Sequence, residues 1–169
     1  PGVATVKDII DPMWLYQNKA KFRKLRGFMD ELHKTGAKMF IQLTAGCGRS
    51  FALNDMMVNL LENKTLGRIA KPILDPEFHS LAPSPTPNRW ADGITSKEIT
   101  KEQIEQIIYA FGETARLCKE AGVDGIEVHA VHEGYLLDQF TLPYVNSRTD
   151  GYGGSFENRY RFAVQIVRE

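Results

Sequence analysis

Residues 100–129 read TKEQIEQIIYAFGETARLCKEAGVDGIEVH, a helix, a stop and a strand in succession. Thr100 with Gln103 three residues on is a capping box, in which each side chain satisfies an orphan amide of the first turn. Ile104, Ile107, Phe111, Ala115 and Cys118 follow at spacings of three and four, which gathers them into one apolar stripe. Gly122 suits the left-handed stop of a helix, and Gly125-Ile126-Glu127-Val128-His129 reads as the next strand. The same phrase occurs earlier. A helix from about Asn18 to Thr35 carries Phe22, Leu25, Met29 and Leu32 on one face with Lys and Arg opposite, Gly36 ends it, and Met39–Leu43 is compact and apolar enough for a buried strand. Parallel neighbours need long return connections, usually helical, so this repeated order predicts parallel strands with helical crossovers. The fold class is α/β.

Working outward, a third helix begins near Ser155 and includes Tyr160, Phe162, Ala163, Ile166 and Val167. The run Gly151-Tyr152-Gly153-Gly154-Ser155 lacks the full spacing and flanking context of a nucleotide loop, so it reads as a turn delivering the chain to a Ser-capped helix. Arg148, Asp150, Asn158 and Arg159 then read as polar bracing. Between Leu43 and Thr100 lies a connection far longer than usual, which holds five of the eight prolines (Pro72, Pro76, Pro83, Pro85, Pro87). It keeps apolar residues such as Phe51, Leu60, Leu61, Ile73, Leu74 and Trp90, so it is expected to be an ordered excursion over the mouth of a site, with a short helix around Asp55 to Glu62.

Lys+Arg and Asp+Glu both number 21, so no net basic charge points to nucleic acid or an anionic membrane. No apolar run approaches a membrane span. Cys47 and Cys118 match no CxxC spacing, which argues against a metal or iron–sulfur site built from this chain alone and fits a reducing, cytoplasmic setting. The chain opens on Pro1 without a Met and stops at Glu169 within helical periodicity, so both ends read as cuts through a larger protein.

In parallel α/β folds chemistry gathers where strands end, and the two strand ends here carry Gln42 and His129. His129 and His132 stand three apart, either as paired hydrogen-bond donors to one oxygen or carboxylate, or with one of them a satisfied structural residue. The same spacing could hold a metal, but no third ligand is visible. Tyr135 follows Gly134, whose missing side chain permits close backbone approach or unusual dihedrals; its hydroxyl is either a proton donor or a bonded core phenol. Gln42 offers an amide donor and acceptor, to a ligand edge or to the backbone.

The stretch from Gly125 to Phe140, continuing through Asn146 to Arg159, closely resembles the signature after the fourth barrel strand of the old yellow enzyme family. The form His132-Glu133-Gly134-Tyr135-Leu136-Leu137-Asp138-Gln139-Phe140 resembles its branch of 2-enoate reductases, 2,4-dienoyl-CoA reductases and bile-acid-inducible oxidoreductases. Ile41-Gln42-Leu43 with Gly48-Arg49 resembles the family's third-strand motif, and the likeness spans essentially the whole chain. Two departures stand out. One more residue than usual separates Gln42 from Arg49, and Glu133 intervenes before Gly134, so either His132 or Glu133 takes the second oxygen-binding position.

The resemblance implies residues 1–169 as part of one flavin-binding (β/α)8 TIM barrel, roughly strands 3 and 4 with flanking helices and a long loop. It implies a flavin mononucleotide (FMN) enzyme that uses NAD(P)H to reduce the activated double bond of a small-molecule 2-enoate, enoyl-CoA or unsaturated 3-oxo-steroid. Gln42 would contact the flavin pyrimidine edge, His129 with His132 the substrate oxygen, and Tyr135 would supply the proton. Family strands before and after this stretch would be missing, so the stretch alone would neither bind FMN tightly nor turn over. In the multidomain branch a 4Fe-4S cluster and FAD lie outside it, and a homo-oligomer is compatible with the full-length form. Two alternatives stay open: a flavin-dependent amine dehydrogenase on the same fold, and a non-catalytic barrel scaffold.

Overall fold

The computed structural model describes residues 3–7, 13–51, 55–70, 78, 80–130 and 134–169. Its main sheet has three strands, β1 (Val3–Thr5), β2 (Phe40–Thr44) and β5 (Gly125–Val128), in the order β1-β2-β5. Both pairings are parallel: Val3 lies opposite Gln42, and Phe40, Gln42 and Leu43 lie opposite Gly125, Glu127 and Val128. Each strand in sequence is added beside the last, with a helical return between, which is the winding of a (β/α) barrel. The two parallel strands expected from the sequence are therefore adjacent. The β1 strand is an addition to that reading, since three residues are too few to show a period.

The returns are α1 (Lys19–His33) and α4 (Lys101–Glu120). Asn18 caps α1 by accepting from the Lys21 amide, and Gly36 and Gly122 follow the two helices at positive φ. The Thr100–Gln103 capping box forms as expected, with Thr100 N donating to Gln103 Oε1 at 2.9 Å and Gln103 N to Thr100 Oγ1 at 3.2 Å. The buried face of α4 is broader than the five-residue stripe: Ala110, Thr114 and Leu117 join Ile104, Ile107, Phe111 and Cys118, while Ala115 sits at its margin. One helix serves two clusters. Ile104, Ile107 and Phe111 pack with Leu43, Leu136, Leu137 and Phe140, whereas Leu117 and Cys118 pack with Phe22 and Met29 of α1.

Ala4, Ile41, Leu43, Ile126 and Val128 belong to these clusters, so this side of the sheet faces the helices. By strand alternation Gln42, Glu127 and their neighbours face the other way. Phe40, on that second side, is 63% exposed.

The long excursion contains α2 (Asp55–Glu62), which matches the expected short helix, and α3 (Lys64–Ala70). It returns through β3 (Leu81–Ala82), paired in parallel with β4 (Lys97–Glu98). Pro72, Ile73, Leu74 and Pro76 lie outside the described residues. Phe78, Leu81 and Ile99 enter the core, so the described part of the excursion is packed. Two short helices complete the chain, α5 (Leu136–Thr141) and α6 (Phe156–Arg168). Ser155 caps α6 by accepting from Asn158 N at 3.3 Å, and Phe140 of α5 meets Phe162 of α6 edge-on at 5.0 Å. Edge-to-face contacts of this kind add about 0.5–1.5 kcal/mol beyond area burial.

The bracing expected of Arg148 is a buried clamp. Its Nε and Nη2 donate to the two oxygens of Asp150 at 3.0 and 2.7 Å, and Nη1 donates to Pro83 O at 3.0 Å and Ile99 O at 2.7 Å. The turn before α6 is thereby fastened to both ends of the excursion's return. Asn146 holds the same turn from inside, donating to Phe140 O and Tyr152 O at 2.7 Å each. Arg159 Nε reaches Thr141 O at 3.0 Å, and Asn158 Oδ1 accepts from Arg161 at 2.6 Å.

In the complete protein, Arg148→Met should cost about 3 kcal/mol, the lower end for removing one partner of a buried pair, because Asp150 keeps some hydration. Urea unfolding of the two proteins measures it. The hydrogen bonds from Arg148 hold the Asp150 carboxyl below its ordinary range. That stabilisation is complete above the unfolded carboxylate value near pH ~4 and is lost as acid approaches the folded value. Arg148→Met should therefore flatten the acid limb of the stability profile, and an unchanged limb would contradict the clamp.

Candidate active site

The site is built where β2 and β5 end. His129 follows β5 directly, and its amide donates to Leu43 O at 2.8 Å, extending the ladder by one rung. On the face away from the helices, Gln42 Nε2 donates to Glu127 Oε1 at 2.9 Å across the paired strands. Gln42 retains a second amide hydrogen and its carbonyl oxygen, a donor and an acceptor side by side.

Beyond β5 the chain returns at Gly134, with φ of +76°, a conformation that L side chains rarely adopt. The unusual dihedral expected there is present. It sends Tyr135 back toward His129, and the two rings lie 5.4 Å apart, tilted by 56°. His132 and Glu133 lie outside the described residues. Of the four candidates, then, His129 and Tyr135 are brought together, and Gln42 is on the neighbouring strand.

The loop after β2 supplies the third wall. Cys47 hydrogen-bonds the Tyr135 side chain; burial pushes its thiol pKa up, and that bond pulls the other way. A thiol raised in this way stays protonated near neutral pH. Ser50 Oγ donates to Gly134 O at 3.0 Å, and Leu136 N donates to Gly46 O at 3.1 Å. Gln139, on α5, joins the same contacts. Its Oε1 accepts from Arg49 N at 3.2 Å, and its Nε2 donates to Cys47 O at 3.0 Å and to Gly134 O. Gly48, at φ +58°, has the Gln139 amide where a Cβ would stand.

Sequence reading missed Cys47, Ser50 and Gln139 as parts of the site. The glycines at 46 and 48, flanking a cysteine just past a strand end, were the available signal of close approach.

A cleft of about 420 Å³ opens beside these residues, lined by Arg49, Ser50, Arg89, Gly134, Asp138 and Tyr144 among others. The excursion borders it: Arg89 N donates to Arg49 O at 2.9 Å, and Trp90 Nε1 donates to Ser50 O at 3.0 Å. The site thus has a polar patch on the sheet, a tyrosine–histidine–cysteine group at the strand end, and a loop drawn over one side. Among the described residues no helix is long and apolar enough to cross a membrane.

The chain is similar to known proteins along most of its length. The chain is 45% identical over 140 residues to a cinnamate reductase of Clostridium sporogenes, covering 83% of this chain and 18% of that protein. It is 38% identical over 141 residues to an NADPH dehydrogenase of Halalkalibacterium halodurans, covering 83% and 34%. Among solved structures, the old yellow enzyme of Pichia sp. AKU4542 superposes with a TM-score of 0.71 at 29% identity, over 98% of this chain and 41% of that one. The histamine dehydrogenase of Rhizobium sp. 4-9 superposes with a TM-score of 0.67 at 26% identity, over 99% and 22%. The chain therefore spans between 18% and 41% of the length of these relatives, and its fold is part of a (β/α)8 barrel. Residues 11–169 match, across almost the whole chain, the family to which it belongs, the NADH:flavin oxidoreductase / NADH oxidase family.

Proposed function

We propose that the whole protein is a flavin-dependent ene-reductase, and that this chain carries its proton donor, its substrate-oxygen contact and one flavin contact. The single observation that carries the reading is Tyr135 turned back beside His129 at the end of β5, next to a strand whose end presents Gln42. The 45% identity to a reductase of cinnamate, an α,β-unsaturated carboxylate, favours this over amine oxidation, where the likeness to the histamine dehydrogenase is 26%. A small-molecule enoate or enone substrate and a cytoplasmic setting belong to the same proposal.

The residues fit a flavin. Gln42, with one amide hydrogen given to Glu127, still offers an N–H and a carbonyl oxygen to the alternating acceptors and donor of a pyrimidine edge. Bound flavin mononucleotide supplies the relay of hydride from NAD(P)H to the β-carbon of the substrate. The chain's own residues do the rest. His129, with His132 at the spacing of three, donates hydrogen bonds to the substrate carbonyl or carboxylate oxygen and stabilises charge that gathers there. Tyr135 gives its proton to the α-carbon, so that the C=C π bond is replaced by two C–H bonds. A phenol is a weak acid, and the transfer succeeds because the developing carbanion is a far stronger base. Solvent then restores the proton to the phenolate that remains.

In the complete enzyme, Gln42→Ala should raise the flavin dissociation constant roughly two- to twelvefold, which corresponds to one net hydrogen bond of about 0.5–1.5 kcal/mol. Fluorescence titration of the apoprotein measures it; an unchanged constant and an unchanged flavin potential would count against the contact. Tyr135→Phe should leave flavin reduction by NAD(P)H intact and slow the oxidative half-reaction by about two to four orders of magnitude. Stopped-flow measurement of each half-reaction separates the two. Substrate reduction at the wild-type rate would remove Tyr135 from the mechanism.

A further inference from the structure

Gln139 is completely buried, with 0% of its surface exposed. A buried carboxamide is costly unless its hydrogen bonds are made, and at this position a leucine or methionine would fill the same space without that demand. The amide is well satisfied, and its partners come from two distant segments: Arg49 N and Cys47 O from the loop after β2, and Gly134 O from the turn after β5.

These contacts tie down the segment that carries Tyr135. The Gly134 carbonyl belongs to the peptide plane that leads into Tyr135, and it accepts from the Gln139 side chain and from Ser50 Oγ at 3.0 Å. The Tyr135 carbonyl belongs to the plane that leads out, and it accepts from the Gln139 backbone N–H at 2.8 Å. One residue thus holds both peptide planes flanking Tyr135. Through Cys47 O and Arg49 N the same amide ties them to the loop whose Cys47 side chain bonds the tyrosine. Gly134 N is held separately by Asp138 Oδ2 at 2.9 Å. The tyrosine's backbone is therefore fixed relative to the end of β2, where Gln42 stands.

We infer that Gln139 is the positioning residue for Tyr135, setting where its hydroxyl lies relative to the flavin-side strand. The inference rests on the reading of Tyr135 as proton donor. Gln139 acts on the tyrosine through the two peptide planes, and in the proposed mechanism it has no role toward the substrate.

The test uses the full-length flavoprotein and four variants: Gln139→Met, Tyr135→Phe, the double variant, and Ser50→Ala. Gln139→Met keeps the volume and removes every side-chain bond. It should slow the oxidative half-reaction about ten- to a hundredfold, the scale of a misplacement near 1 Å, with flavin reduction and substrate KM nearly unchanged. In the Tyr135→Phe background the same substitution should cost less than about twofold further, because the two residues act as one unit. Amide exchange at Gly134 and Leu136 should quicken in Gln139→Met, as the turn loosens from the β2 loop. If Gln139→Met does not fold, Ser50→Ala removes one of the two bonds to Gly134 O and should slow the same half-reaction about two- to fivefold, again only when Tyr135 is present.

Lower thermal stability with an unaltered oxidative half-reaction would make Gln139 a core amide and nothing more. Equal losses with and without the tyrosine hydroxyl would overturn the inference as well. If Tyr135→Phe alone has no effect, the proton-donor reading fails and carries this inference with it. A slow Tyr135→Phe beside fast Gln139→Met and Ser50→Ala overturns the inference alone.

Discussion

The parallel pairing of β2 with β5 is the constraint on which the remainder depends. Gln42 lies opposite Glu127 and Leu43 opposite Val128, and the ladder runs on to the His129 amide. Because side chains alternate, this register alone decides which residues meet the helices. A slip of one residue in β2 would turn Leu43 toward the polar face and drive Gln42 against Ile107 and Phe111. The apolar clusters under the sheet thus enforce the register, and the register sets Gln42, Glu127 and His129 on or beside one polar face. Parallel pairing also obliges the chain to travel the length of the sheet between strands, which gives α1 and α4 their place.

Where the ladder ends, a different device takes over. Loop backbone carries carbonyls and amides with no strand partner, and a buried one must still be paired. Three buried polar side chains meet that demand: Arg148 for Pro83 O and Ile99 O, Asn146 for Phe140 O and Tyr152 O, and Gln139 for Cys47 O and Gly134 O. Each joins segments that no regular element connects. The described loops at this end of the sheet are thus tied to one another through side chains, and Tyr135 lies on one of them.

The parts that sequence made legible are those governed by local rules. The helices announced themselves by period, by the Thr100–Gln103 capping box, and by Gly36 and Gly122. The β2 and β5 strands followed from their apolar runs and the phrase that repeats around them, while Gly134 indicated only close approach or an unusual dihedral, of which the structure shows the second. Strands β1, β3 and β4 were silent because two or three residues contain no period. Gln139 was silent for another reason. It sits in an apolar helical run, and two of its three side-chain partners lie 90 and 92 residues away in sequence, so nothing local marks its amide as shared between segments. Cys47 was weighed only for a metal or iron–sulfur site, and its neighbour in space, Tyr135, is made adjacent only by the fold.

The indole of Trp90 has an optical consequence. It lies on the excursion, 57% exposed, stacked beneath the Arg89 guanidinium and hydrogen-bonded through Nε1 to Ser50 O at the site. Indole emission is sensitive to exactly such changes in hydration and hydrogen bonding. The segment that borders the cleft therefore carries its own chromophore, and with the second indole, Trp14, replaced by Phe, the ultraviolet fluorescence of Trp90 would read the hydration and hydrogen bonding of that border directly.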